Sequence, residues 1–205
     1  MRPCPQSRTV RLTLPARTPL RAGLLLIEAN RAWLEGQVRQ FVAPRPFVAG
    51  LVIPLAGEEL LLTRVPGTTV SRVGDRLLVG DSGGRFAARV EAWLRAAARE
   101  RLEAEARALA ERAGVAIASV RVGDPMRRWG SCSSGGKLSF SWRLLLAPDS
   151  VRRAVVAHEV AHLRHFDHSP AFRATAEALF GGSLKAETEW LSRHGASLHA
   201  WGMVE

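Results

Sequence analysis

The residues best suited to chemistry are His158, Glu159 and His162, which stand in the run His158-Glu159-Val160-Ala161-His162, with His168 six residues further on. On a helix of about 3.6 residues per turn, side chains four apart project from one face. Two neutral imidazoles so placed can grip one Zn²⁺ at about 2.0–2.1 Å. Glu159 sits one step round the helix, where it can hydrogen-bond a zinc-activated water without being a ligand. That is the position of a general base. The flanking Val155, Val156, Val160 and Leu163 imply a half-buried helix, on which unpartnered polar groups are costly.

A third ligand requires the chain to turn back. His165 is on the same face if the helix continues, but it would then lie about 10.5 Å further along the axis than His158. Ser169-Pro170 reads as an N-cap followed by proline at the first helical position, so a new helix is expected there. The first helix must then stop near residues 164–166, which places His168 in the tight connection as the expected third ligand. Glu177, on the following helix, is the alternative. The spacing of His158, His162 and His168 also resembles that of metzincin proteases, H-E-x-x-H-x-x-G-x-x-H, with His165 at their glycine position. Histidine tolerates left-handed backbone less well than glycine, which implies a different turn.

These residues need a scaffold. At 205 residues the chain is long enough for a real core, and its 47% hydrophobic content is ordinary for a globular protein. No apolar run approaches the roughly 18 residues of a membrane span. No secretory leader is read at the N-terminus. The two cysteines, Cys4 and Cys132, do not suggest a disulfide framework, and a cytoplasmic setting is expected. Cys132 reads as a small structural residue, although Arg128 nearby is a group that would lower a thiol's pKa. The net charge of +10 admits nucleic acid or acidic protein partners. Its basic residues are spread along the chain, so a nucleic-acid role is possible but not favoured.

Residues 1–8 read as disordered, 9–14 as a strand and 24–27 as a second strand. A helix is expected over 29–41, ended by Pro44 and Pro46. Three short strands follow, at 51–53, 60–65 and 76–79, punctuated by Pro54, Pro66-Gly67 and Gly74-Asp75. The pattern predicts a long helix over 85–113, its apolar stripe running through Phe86, Val90 and Leu94, its other face laced with Glu and Arg, and Gly114 as C-cap. A strand lies within 115–122. Ser134-Gly135-Gly136 marks a hairpin turn, with Leu138, Phe140 and Trp142 alternating along the returning strand. Pro148-Asp149-Ser150 opens the histidine helix. Helices are expected at 170–180, stopped by Gly181-Gly182, and at 184–194, stopped by Gly195.

The stretch Arg128-Trp129-Gly130-Ser131-Cys132-Ser133, then Trp142-Arg143-Leu144, Pro148, His158–His162, His168-Ser169 and Phe172 resembles the YgjP-like family of predicted zinc metallopeptidases, relatives of SprT and Spartan-type proteases. The likeness is strong over 86–195. Ser141 and Asp167 stand where the family usually has Asn, so acceptors are kept and an amide donor is lost. The resemblance implies an α+β fold: a zincin-like core over 85–205, with a small sheet packed on the histidine helix and the C-terminal helices, and a β-rich region over 1–84. It implies Zn²⁺ as cofactor, His158, His162 and His168 as metal ligands, Glu159 as catalytic base, and a protein or peptide substrate. The hairpin before the histidine helix is placed to offer a strand edge to an extended peptide. The chain contains no Tyr, so Arg128, Arg143 and His194 are the candidates to contact the substrate or transition state. A rival of another class is a zinc-stapled basic module that binds nucleic acid or an acidic protein. A structural zinc site has four protein ligands, and a three-histidine set favours the open, catalytic kind.

Overall fold

The structure, a computed structural model, describes residues 1–4, 9–39 and 42–203, and divides into two compact units, residues 1–46 with 199–205, and residues 47–198. The boundary expected at residue 84 falls inside the second unit. No helix among the described residues is long and apolar enough to cross a membrane.

In the first unit, β1 (Arg2–Cys4) pairs antiparallel with β2 (Thr9–Arg11). Order therefore begins earlier than the sequence suggested, although residues 5–8 lie outside those described. Helix α1 (Leu20–Ala29) replaces the strand expected at 24–27. Leucine favours helix over strand, four apolar residues show no periodicity, and Pro19 can precede a helix without losing a needed N–H. Gly23 allows α1 to lie close to Leu12 and Leu14: a Cβ there would stand 2.7 Å from each side chain. Asn30 ends α1, and α2 (Arg31–Arg39) follows; the last two residues of the helix expected over 29–41 lie outside the described residues. The Arg45 N–H donates to the Ala200 carbonyl, and the Arg45 guanidinium lies over the Trp201 ring.

The second unit holds two small sheets and four helices. The strands β3 (Val52–Leu55), β4 (Glu58–Val65), β5 (Val70–Val73) and β6 (Arg76–Gly80) lie in the order β3-β4-β6-β5, with β4 parallel to β6 and the other pairs antiparallel. The short β5 went unread because its residues are mostly exposed and lack an apolar alternation. Helix α3 (Phe86–Ala113) ends, as expected, at Gly114 in the left-handed region. Its buried residues repeat every fourth position, from Phe86 through Val90, Leu94, Ala98, Leu102 and Ala106 to Ala110. The alanines of that ridge let a neighbouring helix approach closely. Glu91–Arg95 and Glu103–Arg107 pair one turn apart on its outer side. Such exposed pairs each contribute at most about 0.5 kcal/mol.

The second sheet has the order β7-β9-β8, with β7 (Ser119–Gly123) parallel to β9 (Lys137–Ser141) and β8 (Gly130–Cys132) antiparallel at the edge. Gly136, at φ +71°, makes the hairpin turn. After β9 the chain enters a 3₁₀ turn (Trp142–Leu146), every residue of which is buried, and then α4 (Asp149–Ala161), α5 (Pro170–Phe180) and α6 (Lys185–Ala200). Helix α6 runs through Gly195, where a stop was expected. That glycine serves packing instead, since a Cβ there would stand 2.9 Å from the Trp129 ring.

Two buried arginines tie these layers together. Arg152 on α4, fully buried, donates to Glu105 on α3 and to Asp149. Arg143 donates to both oxygens of Asp124, at 2.7 and 3.0 Å, and to the Leu198 carbonyl at 3.0 Å. Burial alone would raise the pKa of Asp124, but the Arg143 bonds outweigh it and hold the carboxyl below its usual range. Removing one member of such a pair strands the other charge. Asp124→Ala is therefore expected to lower stability by about 3 kcal/mol, read from denaturant unfolding near neutral pH. Unchanged stability would show that Arg143 finds its support without Asp124.

Candidate metal centre

The site is built from the end of one helix and the turn beyond it. Helix α4 begins after Pro148 with Asp149 in its first turn, where a carboxylate complements the helix dipole. It places His158 and His162 on one face. The helix then tightens, with Leu163 N–H donating to the Val160 carbonyl and Arg164 N–H to Ala161. This swings the His165 carbonyl back to accept the His162 Nδ1–H at 3.0 Å. A carbonyl can only accept, so Nδ1 carries the proton and Nε2 presents its lone pair. His165, on the predicted helix face only a neighbour of the ligands, thus orients one of them through its backbone.

The His162 and His158 Nε2 atoms stand 3.2 Å apart. Nitrogens sharing a tetrahedral zinc at about 2.0–2.1 Å are separated by roughly 3.4 Å, so this pair already has the right spacing. His168 completes the group, its ring 5.3 Å from His158 and 4.9 Å from His162. The ligand atoms of the three lie within 4.8 Å of one another and can hold a metal ion. His168 is the exposed member and the one freest to adjust. It is delivered by the start of α5, where Ser169 Oγ accepts the Phe172 N–H and Asp167 Oδ1 accepts the Ser169 N–H. Phe172, buried, lies against all three imidazoles, with ring centroids at 4.9, 4.4 and 4.9 Å. Glu177, the alternative ligand, is exposed on α5 and is not in the cluster.

Burial, and then the nearness of His162 and His168, pushes the His158 pKa down to about 4. At neutral pH its ring is uncharged, which is the metal-binding form. Glu159 is buried beneath edge strand β8. A Cβ on Gly130 would stand 2.5 Å from Glu159 Cγ and 2.6 Å from Oε1, so only glycine leaves room for this carboxyl. Burial raises the Glu159 pKa to about 7, against the opposing pull of the Arg128 charge. Cys132 does not have the lowered thiol pKa that Arg128 suggested. Burial, with Glu159 adding to it, pushes the thiol up to about 11, so it is a poor nucleophile.

His158 and Glu159 open onto a cleft of about 400 Å³. Trp129 and Gly130 form one side of its lining, Ala154 and Val155 of α4 another, and Leu184, Glu187, Thr188, Leu191 and Ser192, most of them on α6, the rest. The α6 residues had no signal in the sequence beyond an apolar stripe. Of the three residues expected to contact substrate, Arg128 lies near enough to act on Glu159 electrostatically. Arg143 is committed to the interior through Asp124 and Leu198. His194 is exposed, stacked on Trp190 at 4.7 Å, with its Nδ1 donating to the Trp190 carbonyl.

The three imidazoles face one point, beside a buried carboxyl and an open cleft, and could hold a metal ion there. A family model described as the YgjP-like metallopeptidase domain matches residues 2–194, and the chain belongs to that family of metal-dependent peptidases. Among solved structures, the metallopeptidase zymogen of Pyrococcus abyssi abylysin is similar over 50% of this chain and 99% of its own, at 21% identity and a TM-score of 0.40. No curated protein matches the chain.

The raised Glu159 pKa makes a stability prediction for the metal-free protein. The folded state holds this proton more tightly than the unfolded one, whose carboxyl titrates near 4.5. Stability therefore falls as pH rises from about 4.5 to 7, and stays reduced above that. Glu159→Gln removes the titration. The variant is expected to exceed wild type by up to about 3 kcal/mol at pH 8 and to converge with it near pH 4.5. Denaturant unfolding at the two pH values measures this, and equal stabilities at pH 8 would contradict it.

Proposed function

We propose that the chain is a zinc-dependent peptidase with a zincin-like core. His158, His162 and His168 hold the ion, and Glu159 acts as general base. The observation that carries this reading is the convergence of the three histidines beside a carboxyl whose pKa is raised to about 7. Three imidazole nitrogens suit Zn²⁺, and a site with three protein ligands is the open kind. When bound, the ion supplies a Lewis acid that polarises a carbonyl and lowers the pKa of water.

The chain's own residues do the rest. Glu159, with a pKa near the operating pH, can take a proton from water and give it to the leaving amine. Gly130 fixes the carboxyl by close packing. Strand β8, at the edge of its sheet, offers backbone groups to an extended peptide. Arg128 is the group we assign to steady negative charge as it develops on the carbonyl, a role other peptidases give to Tyr. Protein or peptide substrates follow from the family; zinc, the base and Arg128 belong to this proposal.

Glu159→Gln is expected to retain metal while losing peptide hydrolysis by about a thousandfold or more. His168→Ala is expected to weaken metal binding by about a hundredfold or more. Metal analysis and cleavage of an unfolded protein substrate, measured together, test both. Full hydrolysis by Glu159→Gln would remove Glu159 from the mechanism.

A further inference from the structure

The cleft beside the metal centre has an uneven lining. Trp129, Ala154, Val155, Leu184 and Leu191 give it apolar walls. Besides His158 and Glu159, the one titratable side chain in the lining is Glu187. It is half-buried, and among the described residues it has no hydrogen-bond or ion-pair partner. None of the residues three and four positions away, Ser183, Leu184, Trp190 and Leu191, carries a positive charge. Glu189, two residues on, is by contrast paired with Arg193. A first-turn carboxylate does complement the helix dipole, but an exposed one serves that purpose as well. In a chain of net charge +10, an unpartnered carboxylate set among apolar walls next to the reacting centre is a selective feature.

We propose that this cleft receives a substrate side chain with an aliphatic stem and a cationic tip, lysine or arginine, and that Glu187 is the residue that selects the charge. The proposal rests on the peptidase reading. Trp129, Leu184 and Leu191 cover the methylenes, as apolar surface does for snorkelling Lys and Arg stems. The Glu187 carboxylate meets the ammonium or guanidinium, and Thr188 and Ser192 supply further acceptors at the rim. A substrate carrying Asp or Glu at that position would set two carboxylates together in a partly desolvated cleft and be rejected. A purely aliphatic side chain would fill the cleft but leave Glu187 desolvated and unpaired.

The test uses the metal-loaded full chain and two readouts. In the first, a mixed peptide library is digested and the cleavage sites are mapped. Wild type should favour Lys and Arg at one fixed position relative to the cut by about tenfold over Leu. Glu187→Ala should lose that preference, and Glu187→Lys should shift it toward Asp and Glu. In the second, N-acetyl-arginine amide, N-acetyl-norleucine amide and N-acetyl-glutamate amide are titrated and followed by NMR. The arginine compound should bind about tenfold tighter than the others, and only when Glu187 is present. Arginine-selective binding without hydrolysis would uphold the cleft assignment and overturn the peptidase reading. Hydrolysis with no Lys or Arg preference, or with one that survives Glu187→Ala, would overturn the cleft assignment and leave the peptidase reading standing.

Discussion

Three imidazoles held within 4.8 Å of one another would repel strongly if each carried a charge, so the site depends on keeping them neutral and aimed at one point. Burial keeps the His158 ring uncharged. A reversal of the chain does the aiming. Helix α4 must end just after His162, and α5 must begin at Ser169-Pro170, for His168 to return over the first two rings. The tightened turn that ends α4 also supplies the His165 carbonyl that fixes the His162 tautomer. One local event, the end of a helix, therefore sets both the position of the three histidines and the tautomer of His162.

The surrounding fold explains why this arrangement is stable enough to hold. The uncompensated burial of Glu159 is unfavourable, and the site tolerates it because α4 is anchored on its other faces. Arg152 ties it to α3, its apolar residues Val151, Val156 and Val160 are buried, and β8 closes over the carboxyl. Phe172 brings α5 against the imidazoles as an apolar floor. Two glycines are close-approach residues here, Gly130 above Glu159 and Gly195 against Trp129, and each sets a wall of the reacting region.

The legible parts of the sequence were local. The i, i+4 histidines, the Ser169-Pro170 start, the Gly114 and Gly181 ends and the hairpin turn at Gly136 each follow from a few neighbouring residues, and each stands in the structure. The illegible parts were tertiary. Gly195 looks like a helix stop, and only the Trp129 ring packed on it shows otherwise. Leu24–Ile27 is too short to reveal its period and proved helical. Arg143 stood among the candidate substrate contacts because the chain has no Tyr, yet its guanidinium is taken by Asp124, 19 residues away in sequence. Glu187 reads as an ordinary first-turn acid until α6 is seen to form one wall of the cleft.

The central claim is an open three-histidine metal site, and X-ray absorption at the zinc edge of the purified, zinc-loaded protein tests it most directly. The account predicts one zinc per chain with three nitrogen neighbours at about 2.0–2.1 Å and one light non-protein ligand, and one nitrogen fewer in His168→Ala. A fourth protein ligand, sulfur from Cys132 included, or a protein that takes up no zinc, would contradict it.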